Sequence, residues 1–162
     1  TANRHHSRRQ LAPLAHCYNL IIYDQRGHCD STPVTDLRLY DAQRMAEDIG
    51  AILDALDIER AIVAGESMGS ATALLFALAH PERVRALLLS MPAFGAQPNQ
   101  GRKQMKEWGR AIATLGIDRF AAQSTAREGT ERDLSPQAAA YWPSILRSHQ
   151  TDSLAIALQT VV

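Results

Sequence analysis

The chain has 162 residues, 46% hydrophobic and 21% charged, and its 17 basic and 17 acidic side chains give a formal net charge of +0. That length suffices for one domain with a real core, and neutrality removes the electrostatic ground for expecting nucleic acid or an anionic membrane as partner. Cys17 and Cys29 are too few for a disulfide framework, and no apolar run approaches the length of a membrane span, so the composition points to a cytoplasmic globular protein with reduced thiols.

The N-terminal basic stretch Arg4-His5-His6-Ser7-Arg8-Arg9 reads as the solvated start of a short helix, which Pro13 interrupts before Ala15. The apolar run Tyr18–Tyr23 predicts a strand buried on both faces of a parallel sheet, closed by the turn Asp24-Gln25-Arg26-Gly27. Residues 40–56 place Ala42, Met45, Ala46, Ile49, Ile52, Leu53 and Leu56 on one helical stripe, with Asp41, Arg44, Glu47, Asp48 and Asp54 opposite.

A second strand is expected over residues 61–64 and a helix over Met68–Ala79, apolar almost all round and stopped by His80-Pro81. Val84–Leu89 predicts a third strand. Alternation of helix and strand implies a parallel sheet with flanking helices, whose carboxyl edge is where such folds bind ligands.

From about residue 92 the composition changes. Phe94–Arg102 reads as a loop, and only helices are expected beyond it. Met105, Trp108, Ile112 and Leu115 share one face; Ser135-Pro136 marks a helix start, Pro143 is expected to kink or divide that helix, and a last helix begins at Thr151 or Asp152. Trp108 and Trp142 read as packing residues.

The most informative stretch is Ala61-Ile62-Val63-Ala64-Gly65-Glu66-Ser67-Met68-Gly69-Ser70. A β-favouring run ends in G-x-S-x-G and a helix follows at once, which is the layout of a nucleophile elbow. So tight a turn strains the serine backbone, leaves no room for side chains at Gly65 and Gly69, and exposes the Ser67 hydroxyl at a helix N-terminus able to hold an oxyanion. A phosphate-binding P-loop is excluded, because Gly69 is followed by Ser70 and Ala71 and the chain's lysines are Lys103 and Lys106. His28-Cys29-Asp30 are adjacent turn residues, and with no H-x-x-x-H or C-x-x-C nearby no metal or cofactor is expected.

On these residues the chain resembles the α/β-hydrolase fold family. Asp24-Gln25-Arg26-Gly27-His28-Cys29-Asp30-Ser31 is similar to its D-x-R-G-x-G-x-S turn, Gly65–Gly69 to its G-x-S-M-G elbow, and Ala79–Val84 to its A-x-x-P-x-x-V link. Cys29 stands where the family has glycine, which implies a backbone free of a left-handed angle there. The resemblance implies a partial α/β-hydrolase core over 1–95 and a helical cap segment over 96–162.

It also implies acyl transfer on a small ester or lactone without a cofactor. Ser67 is the nucleophile and the Met68 N–H one oxyanion donor, and serine at this position argues against branches of the family that attack with aspartate. The His-Gly turn that supplies a second oxyanion donor would fall before Thr1, and the acid and histidine are expected outside these residues, so the chain reads as incomplete and inactive by itself. Asp118, Asp133 and His149 follow Ser67 in the formal order of a triad, yet His149 falls in a helical stretch and reads as an exposed polar residue. Two alternatives stay open: a cofactor-free perhydrolase or haloperoxidase using the same serine, and a non-catalytic binding module that keeps the fold.

Overall fold

The computed structural model describes residues 3–6, 8–92, 98–131 and 135–160. Its elements are α1 (Arg8–Leu11), a 3-10 turn at Ala12–His16, another at Leu37–Leu39, α2 (Ala42–Ala55), β1 (Ala61–Glu66), α3 (Met68–Ala79), a 3-10 turn at Pro81–Arg83, β2 (Val84–Ser90), α4 (Pro98–Leu115), α5 (Ile117–Glu131), α6 (Pro136–Arg147) and α7 (Thr151–Thr160). They form two compact units, Asp36–Gln104 with Thr160–Val162, and Thr1–Thr35 with Met105–Gln159.

The first of these units holds the sheet. Asp41 caps α2 by accepting from the Gln43 N–H at 2.9 Å, which satisfies one of the donors a helix start leaves orphaned. The expected stripe is buried at Met45, Ala46, Ile49 and Leu53. β1 and β2 pair in parallel, from Ala61 opposite Val84 to Glu66 opposite Ser90, and α3 packs against both strands and against α2. Arg83 closes the far end: its Nη2 donates to Asp54 Oδ1 at 2.7 Å and its Nε to the Glu59 carbonyl at 2.8 Å, fastening the start of β2 to the α2–β1 connection.

Two expectations change here. Tyr18–Tyr23 is not a strand: its backbone joins no ladder among the described residues, and Leu20, Ile21 and Ile22 are exposed. An apolar β-favouring run becomes a strand only through ladder hydrogen bonds. Nor is α3 buried all round. Ala73 and Phe76 are buried, but Leu78 is 70% exposed, because two strands and one neighbouring helix cover only part of its circumference.

The other unit has a helical core of Ile112, Ile117, Phe120, Ala121, Leu146, Leu154, Ala155 and Leu158. Met105, Trp108 and Trp142 pack on it, the Trp108 and Phe120 rings meeting edge to face at 5.9 Å. Gly109 allows α4 to approach α7 closely, since a Cβ there would lie 2.7 Å from the Ala155 carbonyl oxygen. Gly116, at φ 79°, turns the chain from α4 into α5.

Here too two readings are corrected. α4 starts at Pro98, inside the expected loop 94–102, because proline is at home in a first helical turn (residues 93–97 lie outside the described ones). α6 runs undivided through Pro143. No helix among the described residues is long and apolar enough to cross a membrane.

Candidate active site

β1 ends at Glu66 and α3 begins at Met68, so a single residue, Ser67, turns the chain. Its backbone takes φ 53° and ψ −115°, outside the ordinary regions for a residue with a Cβ, and its side chain is exposed. Such a conformation costs about 1–3 kcal/mol and persists only where the surroundings enforce it.

The enforcement is visible. The Ser67 N–H donates to the Ser90 carbonyl at 3.0 Å, carrying the ladder one residue beyond β1, and the Ser67 carbonyl accepts from the Ser70 N–H at 3.0 Å. A Cβ on Gly65 would lie 2.1 Å from the Gly69 carbonyl oxygen and 2.7 Å from the Ser70 nitrogen, so glycine lets the helix start close directly onto the strand end. Gly69 differs from expectation: a Cβ there would meet nothing within 4 Å.

Ser67 is the N-cap of α3, yet its side chain makes no capping hydrogen bond. Met68 is the first helical residue, and a helix leaves the N–H groups of its first turn without intrahelical partners. An exposed hydroxyl thus stands beside a helix N-terminus, where partial positive charge favours a developing oxyanion.

His80 is the one histidine of residues 36–104. It sits at the opposite end of α3, about 18 Å along the axis, exposed and facing Glu82 at 3.6 Å.

The D-x-R-G-like turn lies in the other unit. Asp24 is buried and bonded by the Arg4 backbone N–H at 2.7 Å and by the Arg4 guanidinium, which also reaches Asp30. Arg4 is therefore an ion-pairing residue rather than part of a solvated helix start. Cys29 has φ 48°, so the left-handed angle that glycine would serve is kept, contrary to expectation. Its thiol is buried beside Ser148 Oγ at 3.4 Å, and burial pushes its pKa up.

His149 is buried, not exposed as the sequence suggests. It follows α6 in a turn, and its Nδ1 donates to the Ile145 carbonyl at 2.8 Å. The ring packs edge to face on buried His28, whose Nδ1 donates to the Arg26 carbonyl at 3.1 Å. Burial lowers the pKa of both, that of His28 to about 4. Asp118 pairs on the surface with Arg147 at 3.0 Å, and Asp133 lies outside the described residues. His28, Cys29 and Asp30 turn to His149, Ser148 and Arg4 respectively, so these three adjacent side chains do not converge.

One residue of the elbow is missed by motif reading. Ser70 is fully buried, with Oγ 2.8 Å from both the Gly65 and the Ser90 carbonyl oxygens. The only sequence signal is a small polar residue in the first turn of a mostly apolar helix.

An exposed, strained serine between a parallel strand and a helix defines a nucleophile-elbow architecture. The chain belongs to the alpha/beta hydrolase fold family, whose model matches residues 1–139. It is 38% identical over 95 residues to 2-hydroxy-6-oxo-6-phenylhexa-2,4-dienoate hydrolase of Comamonas testosteroni, a match covering 53% of this chain and 32% of that protein. It is 37% identical over 84 residues to 3-oxoadipate enol-lactonase 1 of Acinetobacter baylyi, covering 52% and 30%. A crystal structure of a hydrolase from Pseudomonas aeruginosa superposes with a TM-score of 0.78 at 25% identity, over 99% of this chain and 60% of that one. The chain thus spans about a third of the curated relatives it matches.

Proposed function

We propose that the protein is a cytoplasmic serine hydrolase of small carboxylic esters or lactones, working through an acyl-enzyme on Ser67 without a cofactor. The observation that carries this reading is the backbone of Ser67: exposed, at positive φ, and directly before the first turn of α3. Ser67 Oγ attacks the substrate carbonyl carbon while a histidine base takes its proton. The Met68 N–H holds the oxyanion, the alcohol leaves with a proton, and water then releases the acyl group and restores the serine. Residues 96–162 are the cap segment in this reading. Ser67 and Met68 are the catalytic residues; Gly65 and Gly69 shape the elbow.

The relatives support a hydrolase, and the enol-lactonase among them favours an ester-type bond. A second reading, a binding module that keeps the fold without turnover, draws on the distance between Ser67 and the one histidine of its unit. Fluorophosphonate labelling of the full-length protein separates the two. Labelling at Ser67, together with loss of p-nitrophenyl ester hydrolysis in Ser67→Ala, is expected; an unlabelled Ser67, or undiminished hydrolysis by Ser67→Ala, refutes the enzyme. The 162-residue chain alone is expected to show little or no turnover, because general-base catalysis contributes about 10²–10⁴-fold and His80 is too far to supply it.

A further inference from the structure

A serine at a helix N-cap ordinarily accepts a hydrogen bond from the second or third helical N–H, which fixes the helix start. Ser67 makes no such bond, so its hydroxyl does not hold the elbow. Something else must keep its backbone at φ 53°, and among the described residues Ser67 itself is linked by two backbone hydrogen bonds, to Ser90 and from Ser70.

Ser70 supplies the rest. Its side chain is fully buried beneath the first turn of α3, and its Oγ lies 2.8 Å from the Gly65 carbonyl of β1 and 2.8 Å from the Ser90 carbonyl of β2. A hydroxyl has one proton, so it is shared between two acceptors or alternates between them. Either way one side chain spans the carboxyl ends of both strands. The Ser90 oxygen it reaches is the same one that accepts the Ser67 N–H. Its own N–H donates to the Ser67 carbonyl, and its nitrogen is one of the atoms that leave no space for a side chain at Gly65. Ser70 therefore reaches three groups around Ser67: the carbonyl of the residue two before it, the Ser67 carbonyl, and the acceptor of the Ser67 N–H.

We propose that Ser70 is the positioning residue of the elbow, taking over the anchoring that the Ser67 side chain gives up and so holding that hydroxyl and the Met68 N–H in register. The proposal rests on the reading of Ser67 as nucleophile. It assigns Ser70 no contact with substrate; its effect passes through the Ser67 backbone.

Removing the hydroxyl leaves two strand-end carbonyls without this donor and loosens the turn. Because a small misplacement of a reacting group costs up to about 100-fold in rate, Ser70→Ala in the full-length protein is expected to lower kcat on p-nitrophenyl butyrate by roughly 10- to 100-fold while KM changes less than about twofold. Exchange of the Ser67 amide proton, followed by NMR, is expected to accelerate. Thr72→Val is the control: it removes another buried hydroxyl of α3, one that donates to the Met68 carbonyl at 3.4 Å. It is expected to lower the melting temperature without lowering kcat. Ser70→Cys, closer in shape but a weak donor, serves if Ser70→Ala does not fold.

The proposal is overturned if Ser70→Ala keeps its kcat, or if Thr72→Val, at a similar loss of melting temperature, loses kcat to the same extent. Should Ser67→Ala itself retain activity, the hydrolase reading fails instead. Unchanged Ser67 amide exchange in Ser70→Ala then refutes the anchoring role, and faster exchange upholds it.

Discussion

The rings of His28 and His149, 121 residues apart in sequence, meet edge to face with centroids 5.3 Å apart and an interplanar angle of 75°. Each Nδ1 donates to a local carbonyl, of Arg26 and of Ile145, so both rings carry their proton on Nδ1 and turn a bare Nε2 lone pair elsewhere. The His149 Nε2 is buried with no hydrogen-bond partner among the described residues. This pair is built to be neutral.

Acid should therefore weaken the fold. An unfolded histidine titrates near 6.5, whereas burial lowers folded His28 to about 4, with His149 pushing the same way and the Arg26 carbonyl and Asp24 opposing. Between those values the unfolded chain binds more protons than the folded one, so stability rises with pH across that window. The contribution is intact above about pH 6.5, is lost as pH falls toward 4, and is worth on the order of 3 kcal/mol. Urea unfolding at pH 7.5, 6, 5 and 4 measures it, and His28→Gln is expected to flatten the slope.

Gly65 and Gly69, alike in the motif, are expected to respond oppositely. Gly65→Ala drives a methyl into the Gly69 carbonyl, 2.1 Å away, and should cost more than about 2 kcal/mol. Gly69→Ala meets open space at an ordinary φ and should change stability by less than about 1 kcal/mol, with a gain from helix propensity. Thermal melts of the two variants decide this.

Arg4→Ala is expected to lower the denaturation midpoint more than Asp30→Ala does. It leaves the Asp24 carboxylate, whose side chain is 1% exposed, without its guanidinium, whereas Asp30, at 75%, is solvated anyway. Asp30→Ala should therefore cost less than about 0.5 kcal/mol. Chemical denaturation of both variants is the check.

Trp142→Phe should be tolerated within about 1 kcal/mol. The indole Nε1 is buried without a hydrogen-bond partner among the described residues, so replacement removes an unsatisfied donor and offsets part of the lost packing on the helical core. A loss above about 3 kcal/mol in a melt would contradict this.

The elements whose signals are local were legible in the sequence. The α2 stripe, the elbow with its strained serine, the stop at His80-Pro81 and the start of α6 at Pro136 rest on periodicity, capping and turn chemistry within a few residues. What was not legible depends on distant partners. Tyr18–Tyr23 has strand composition, but pairing is decided by what lies alongside. His149 follows a helix and so looks solvated, but its burial is set by His28. Cys29 adopts a glycine-like angle because its turn is held by Arg4, Asp24 and Ser148, which no spacing rule connects. Ser70 was hidden because a buried serine and a solvated one read the same.

The Val34 N–H donates to Ser153 Oγ, Cys29 Sγ meets Ser148 Oγ, and the Asn3 side chain donates to the same Ser148 oxygen, across separations of 119, 119 and 145 residues. During synthesis residues 3–34 are made well before α7 exists to receive them. Contacts that distant are slow to form, so the D-x-R-G-like turn closes only once α7 has followed it.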